Sequence, residues 1–314
     1  MSVFLVVLLY ATWSSIFSLA KIALAVSPPI FLTSARMLLA GILILGYLRL
    51  KKRPIFAFSL QQGIAIGALG FFSMYLTNIL EFWGLQYLTA AKTCLIYSLS
   101  PLFAALFSYL HFKETITPRK WLGMGIAFIG VLPVIILQTG AEELFSVFQF
   151  LSWPSLAIIG ASMASVYGWV LLRLLVKDST SSPVTINGLS MLLGGVCALI
   201  HSLFIDSWHP VPVDFSDMGS FLSVLLLITL ISNLICYNLY GMMLKRFTAT
   251  FLSFIGLLSP VFASMHGWIF LGETPSWIIF LSTAIISLGL WIVYSTELIG
   301  GITKATTSQP AIES

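Results

Sequence analysis

The chain alternates between long apolar runs and short polar connections. A membrane-spanning helix needs about 20 mostly apolar residues. Ten runs approach that length: Phe4–Leu24, Ile30–Leu48, Leu60–Leu80, Thr89–Phe112, Leu122–Leu137, Phe150–Leu175, Val184–Ile205, Gly219–Leu244, Thr248–Leu271 and Trp277–Leu298. The connections between them leave no room for a separate extramembrane domain. The pattern predicts an all-α integral membrane protein of ten transmembrane helices with a polar tail over 299–314. The first run lacks a basic leader and a small-residue cleavage site, so it reads as a retained span rather than a signal peptide.

Part of the pattern occurs twice. With a constant shift of 159, Leu88–Thr117 falls on Phe247–Ser276. Ser100-Pro101 then meets Ser259-Pro260, and Glu114-Thr115 meets Glu273-Thr274. About 14 of the 46 positions from Thr89 to Val134 are identical to their counterparts. A second pair, Met37-Leu38-Leu39-x-Gly41 and Met191-Leu192-Leu193-x-Gly195, repeats with a shift of 154. The copies lie five spans apart, and five is odd, so they face opposite sides of the bilayer. The expected architecture is two inverted five-helix repeats, 3–137 and 150–298, as in many secondary transporters.

Composition agrees with the class. Hydrophobic residues make up 59% and charged residues 8% of the chain, against soluble averages of about 45–50% and about 25%. The net charge of +4 is not a nucleic-acid signal, because the basic residues sit in short loops. Those loops set the orientation. Arg49, Lys51, Lys52 and Arg53 follow the second run, Lys113, Arg119 and Lys120 the fourth, Arg173 and Lys177 mark the end of the sixth, and Lys245 and Arg246 follow the eighth. The opposite loops carry Glu142, Glu143, Asp206, Asp214, Asp217 and Glu273 instead. Basic residues concentrate on the cytoplasmic side, so both termini are expected there. Cys94, Cys197 and Cys236 lie inside apolar runs without ligand spacing and read as small embedded hydrophobes.

A charge in the hydrocarbon core costs roughly 2.5–3.5 kcal/mol on insertion scales, so each is a candidate for function. Arg36 stands about a third of the way into the second run and aligns with Ser190 in the repeat. It reads as a fork for a carboxylate or phosphate, or as a structural pair or snorkel to the interface. Glu81 and Lys92 sit near the outer face, solvated at the interface, as a mutual pair or, for Glu81, beside a cationic substrate or a coupling proton. Trp13, Phe17 and Lys21 recur at i, i+4, i+8 on one helical face. That face offers stacking and a charge to a cavity, or faces lipid.

Polar uncharged residues mark the interior further. Tyr75 and Asn78 share helical spacing with Glu81. Asn233 and Tyr237, with Tyr240 a turn on, do so in the eighth run. Ser162, Ser165 and Trp169 line up in the sixth. In lipid such groups take partners from neighbouring helices or from a substrate. His266 reads as a helix-contact histidine. Pro101 and Pro260 each remove a mid-span hydrogen bond and predict matched kinks or gates. Glu114 and Glu273 read as loop or cap residues.

The residues resemble the drug/metabolite transporter superfamily, in its ten-span group with two EamA domains. The resemblance rests on Trp13-Ser14-Ser15-Ile16-Phe17 with Lys21 and on Ser34-Ala35-Arg36-Met37-Leu38-Leu39-Ala40. It rests also on Gly84-Leu85-Gln86-Tyr87-Leu88-Thr89-Ala90-Ala91-Lys92, on Leu122-Gly123 with Gly130, and on Pro260 followed by Gly272-Glu273. Lys113-Glu114 departs from the usual Gly-Glu. The resemblance implies that fold and metabolite transport, with amino acids, nucleosides and drugs among the family's substrates. The overall sequence is also similar to the S-adenosylmethionine/S-adenosylhomocysteine transporters of obligate intracellular bacteria within that family.

The expected function is alternating-access transport of a small metabolite across the bacterial inner membrane. The favoured substrate is S-adenosylmethionine, exchanged for S-adenosylhomocysteine. Arg36 or Lys21 would meet the carboxylate, Trp13 and Phe17 the adenine, and Glu81 the sulfonium. Tyr75, Asn78, Trp169, Asn233 and Tyr237 complete the candidate substrate set. An amino-acid or drug exporter of the same fold is the alternative. A polytopic intramembrane enzyme is the rival class, but no His-Glu-x-x-His or Gly-x-Ser-x-Gly occurs. No Walker phosphate loop occurs either. The expected partners are the substrate and the bilayer, with no nucleic acid, cofactor, metal or catalytic residue.

Overall fold

The computed structural model describes residues 3–53, 58–88, 90–97, 99–113, 117–138, 152–177 and 182–271, with 277, 281, 284–289, 291 and 292. The described residues form helices and short turns, with no strand among them. Among the described residues, six helices are long and apolar enough to cross a membrane. They are α1 (Val3–Leu24), α2 (Pro29–Leu50), α3 (Leu60–Tyr87), α7 (Trp153–Lys177), α8 (Pro183–Ile205) and α9 (Met218–Met243). Between and after them lie α4 (Ala90–Tyr97), α5 (Ser100–Phe112), α6 (Pro118–Gln138), α10 (Ala249–Ile255) and α11 (Ser259–Leu271). Residues 284–289 are helical too. The rest of the tenth run apart from 277, 281, 291 and 292, the 299–314 tail, Glu114-Thr115, Glu142-Glu143 and Glu273-Thr274 lie outside the described residues.

Local chemistry sets the helix starts. Pro29 and Pro183 occupy first-turn positions of α2 and α8, where a missing N–H leaves nothing unpaired. Ser59 and Gln62 form a capping box at α3: Ser59 Oγ accepts from the Gln62 amide, and Gln62 Oε1 accepts from the Ser59 amide. Large apolar side chains such as Phe4, Ile64, Ile200 and Leu226 face outward. That surface suits lipid, where helices satisfy their backbone groups internally.

The second repeated motif builds the α2–α8 contact. A Cβ placed on Gly41 would stand 2.8 Å from the Leu192 amide nitrogen, and one on Gly195 would stand 2.8 Å from that of Leu38. Leu38 and Gly41 correspond to Leu192 and Gly195 at the shift of 154. Each motif thus contacts its own counterpart, which is the reciprocity of a two-fold relationship. Small residues permit this close approach of helix backbones.

The Ser-Pro repeats coincide with two helix breaks. Leu99 is a turn residue between α4 and α5, and Gly256–Leu258 forms a 3₁₀ turn between α10 and α11. Pro101 cannot donate to the Tyr97 carbonyl four residues before it. The Ser100 hydroxyl donates to that carbonyl instead, at 2.5 Å. In the other copy the Ser259 amide donates to Gly256 O.

Two further irregularities match. Gly70–Leu76 in α3 and Thr229–Cys236 in α9 are π-helical, and their starts differ by the same shift of 159. A π segment inserts an extra residue into a turn and rotates the helix beyond it. These two segments decide which side chains reach the centre.

Candidate functional site

One cavity lies among α1, α2, α3, α4, α7, α9 and the two helix breaks. About 910 Å³ of space there is free of protein atoms, including its open mouth.

Arg36 of α2 reaches the cavity although only 2% of it is exposed. One terminal nitrogen donates to Asn78 Oδ1. The guanidinium carbon lies 4.8 Å from the centre of the Phe82 ring, a cation–π contact. Among the described residues, Arg36 Nε has no hydrogen-bond partner. Asn78 is held in turn by its side-chain amide, which donates to Ser73 O at 3.0 Å and Met74 O at 2.9 Å. Those carbonyls belong to the π segment, so the register shift both frees them and anchors the group beneath Arg36.

Glu81 of α3 also lines the cavity, half-buried, and its carboxylate accepts from the Tyr97 hydroxyl of α4. Among the described residues, neither Arg36 nor Glu81 has an ion-pair partner. The cavity therefore presents one fixed cation and one carboxylate, each steadied by a neutral group.

An aromatic wall completes it. Trp13 of α1 stands 5.7 Å from Trp169 of α7, 5.2 Å from Tyr237 and 5.8 Å from Tyr240 of α9. Trp169 lies 4.2 Å from Tyr240 by ring centroids. Phe17 and Tyr97 continue the wall with centroids 6.1 Å apart. Aromatic faces of this kind stack on planar ligands and attract cations.

The structure brings together seven of the ten expected substrate residues: Trp13, Phe17, Arg36, Asn78, Glu81, Trp169 and Tyr237 line the cavity. Lys21 does not; it is exposed in the last turn of α1, beyond the stripe it shares with Trp13 and Phe17. Tyr75 does not; its hydroxyl meets His201 Nδ1 at 3.1 Å on α8. Asn233 does not; its amide faces Met37 Sδ at 3.1 Å and Met191 Sδ at 3.9 Å. Both miss because regular helical spacing places Tyr75 with Asn78 and Asn233 with Tyr237, whereas each pair straddles a π turn. Ser232 lines the cavity beside Tyr237 in place of Asn233. Pro101 and Pro260 are buried in the first turns of α5 and α11, while Ser100 and Ser259 reach the cavity.

Other lining residues lay beyond the sequence expectation. Tyr97, Cys94, Thr77, Ser14 and Ser253 are among them. Tyr97 had a usable signal, since the repeat pairs it with Gly256. The asymmetry that singled out Arg36 selects Tyr97 as well. Gly256 also lines the cavity, and a Cβ there would stand 3.0 Å from the Tyr10 ring. Ser14 Oγ bonds His266 Nδ1 at 3.1 Å, which makes His266 a helix-contact residue just behind the wall. No group of metal-ligating side chains occurs among the described residues.

A helical membrane fold around a polar and aromatic cavity, with matched helix breaks beside it, defines a transporter. The chain belongs to the EamA-like transporter family, whose model matches residues 1–136 and 152–295. It is 40% identical over 299 residues to the S-adenosylmethionine/S-adenosylhomocysteine transporter of Chlamydia muridarum (strain MoPn / Nigg), covering 95% of this chain and 92% of that one. It is 39% identical over 305 residues to the protein of the same name in Chlamydia trachomatis serovar L2, covering 95% and 90%. A solved crystal structure superposes with a TM-score of 0.72 at 16% identity, covering 92% of this chain and 93% of the other. That likeness concerns the fold.

Proposed function

We propose that this transporter exchanges S-adenosylmethionine for S-adenosylhomocysteine across a bacterial inner membrane. The carrying observation is the pair Arg36 and Glu81, opposite charges without ion-pair partners among the described residues in one cavity, beside the Trp13–Trp169–Tyr237–Tyr240 wall. S-adenosylmethionine has a carboxylate for Arg36, a sulfonium for Glu81, and an adenine for the aromatic faces. Arginine suits the carboxylate because its planar fork donates two parallel hydrogen bonds. Burial of both partners in a low-dielectric cavity strengthens each contact. The two Chlamydia relatives bear that substrate pair in their names.

In this reading the halves 3–137 and 150–298 are inverted, and both termini are cytoplasmic because Arg49, Lys51, Lys52, Arg53, Lys245 and Arg246 lie on their side. The halves rock about the α2–α8 contact, and the breaks at Ser100-Pro101 and Ser259-Pro260 act as gates.

Uptake of labelled S-adenosylmethionine by vesicles containing the purified protein, preloaded with S-adenosylhomocysteine, tests the proposal. Saturable uptake that needs the internal load is expected, and Arg36→Gln should abolish it. No uptake above protein-free vesicles would overturn the substrate; intact uptake in Arg36→Gln would remove Arg36 from the site.

A further inference from the structure

The two molecules of the proposed exchange differ in charge. Near neutral pH, S-adenosylmethionine carries a carboxylate, an ammonium and a sulfonium, a net +1. S-adenosylhomocysteine has a neutral thioether and no net charge. A cavity that passes both through the membrane must bind them with the same side chains. Resting on that substrate reading, we propose that Glu81 carries one proton when S-adenosylhomocysteine occupies the cavity, so that one S-adenosylmethionine cation is exchanged for one neutral S-adenosylhomocysteine plus one proton.

The geometry singles out Glu81. Its carboxylate lines the cavity and accepts from the Tyr97 hydroxyl, and it makes no ion pair among the described residues. A sulfonium beside it neutralises it. A thioether leaves it without a direct ion partner in a membrane interior, with Arg36 acting only from beyond ion-pair distance, and such a charge is costly. A positive neighbour favours an ionised carboxylate, and its loss favours the acid. A proton then restores the charge that the sulfonium supplied. Binding of a proton and a bond to Tyr97 are compatible, because a phenol hydroxyl donates to a carboxylate or accepts from a carboxylic acid.

The neighbouring groups do not fill this role. α2 presents Arg36, which stays charged. α4 presents Tyr97 and Cys94, with the side chain of its Lys92 outside the described residues, α9 presents Tyr237 and Tyr240, and α1 presents Tyr10; phenols and thiols ordinarily keep their protons near neutral pH. α1 contributes Phe17 to the cavity, and its Lys21 is exposed beyond it. α7 contributes Ser165 and Trp169, which do not titrate. The proton enters from water on the side where S-adenosylhomocysteine binds and leaves on the other. Charges balance, with +1 moving each way.

The test uses vesicles containing the full chain, loaded with S-adenosylhomocysteine and a pH-sensitive dye. About one proton should leave the lumen for each S-adenosylmethionine that enters. Where proton loading limits exchange, acidifying the lumen should raise its rate by up to about tenfold per pH unit, the slope of a single required proton. A potential set with potassium and valinomycin should change the rate little. Whatever exchange Glu81→Gln retains should be independent of lumen pH, and Glu81→Asp should restore some coupling. Exchange without proton movement, exchange driven by an inside-negative potential, or proton coupling that persists in Glu81→Gln would each overturn the proposal. The wild-type measurements decide the matter even if both variants fail to fold. Binding of S-adenosylmethionine is measured separately by thermal shift, so loss of the substrate reading, which would also overturn this one, is told apart from loss of proton coupling alone.

Discussion

Asn78 and Asn238 hold corresponding places in the two halves. Each follows a π segment and donates its side-chain amide to carbonyls five and four residues earlier, Ser73 and Met74 for one, Asn233 and Leu234 for the other. Their oxygens differ in partner. Asn78 Oδ1 accepts from Arg36, whereas Asn238 Oδ1 accepts from Asn187 Nδ2 at 3.1 Å. The second half makes this contact with a neutral amide. The first half has built a cation into it.

That difference separates stability from binding. Asn78→Ala and Asn238→Ala each remove buried hydrogen bonds, which in membrane proteins are worth about 0.6–2 kcal/mol apiece. Both variants should therefore melt several degrees below the wild type in detergent. Asn78→Ala should also lose the thermal shift produced by S-adenosylmethionine, because Arg36 is no longer held. Asn238→Ala should keep that shift.

The aromatic wall calls for graded substitution at Trp169. Stacking of a base on an aromatic side chain is worth about 1–3 kcal/mol, so Trp169→Leu should weaken S-adenosylmethionine binding roughly 5- to 150-fold. Trp169→Phe should retain most of the affinity. Methionine lacks the adenine and should compete poorly with either wild type or variant. Equal binding by Trp169→Leu would place the adenine elsewhere.

The α2–α8 contact is a test of stability. A Cβ at Gly41 or Gly195 meets backbone atoms of the opposite helix at 2.8 Å, whereas one at Gly46 meets nothing within 4 Å. Backbone at that distance cannot yield as a flexible side chain does. Gly41→Val and Gly195→Val should each lower the melting temperature or prevent insertion, by overpacking that costs about 1–3 kcal/mol or more. Gly46→Ala should be close to neutral.

Much of this was legible in the chain. Apolar length and loop charge implied a helical membrane protein, and the repeats pointed to Gly41, Gly195, Ser100 and Ser259, which are contact or cavity residues. The cost of a buried charge marked Arg36 and Glu81. Register inside α3 and α9 was not legible, because no composition rule announces a π turn. The amides that stabilise each turn, Asn78 and Asn238, come after it as ordinary polar residues. Tyr97 was hidden for another reason: its role depends on a partner, Glu81, across a helix boundary.

The π segment of α3 therefore makes the sharpest separation between residues of similar appearance. Tyr75 and Asn78 are three residues apart and both polar, yet Tyr75 bonds His201 outside the cavity while Asn78 holds Arg36 within it. Lys21 lies beyond the cavity as well, although it continues the stripe of Trp13 and Phe17. Tyr75→Phe deletes a single partly exposed hydroxyl contact, and Lys21→Gln deletes an exposed charge; such changes are usually within about 0.5 kcal/mol. Both should transport S-adenosylmethionine within roughly twofold of the wild type, in the same vesicles where Arg36→Gln is inactive. If Tyr75→Phe inserts normally but abolishes uptake, Tyr75 faces the substrate, and a regular α-helical register through residues 70–76 would have to replace the π turn.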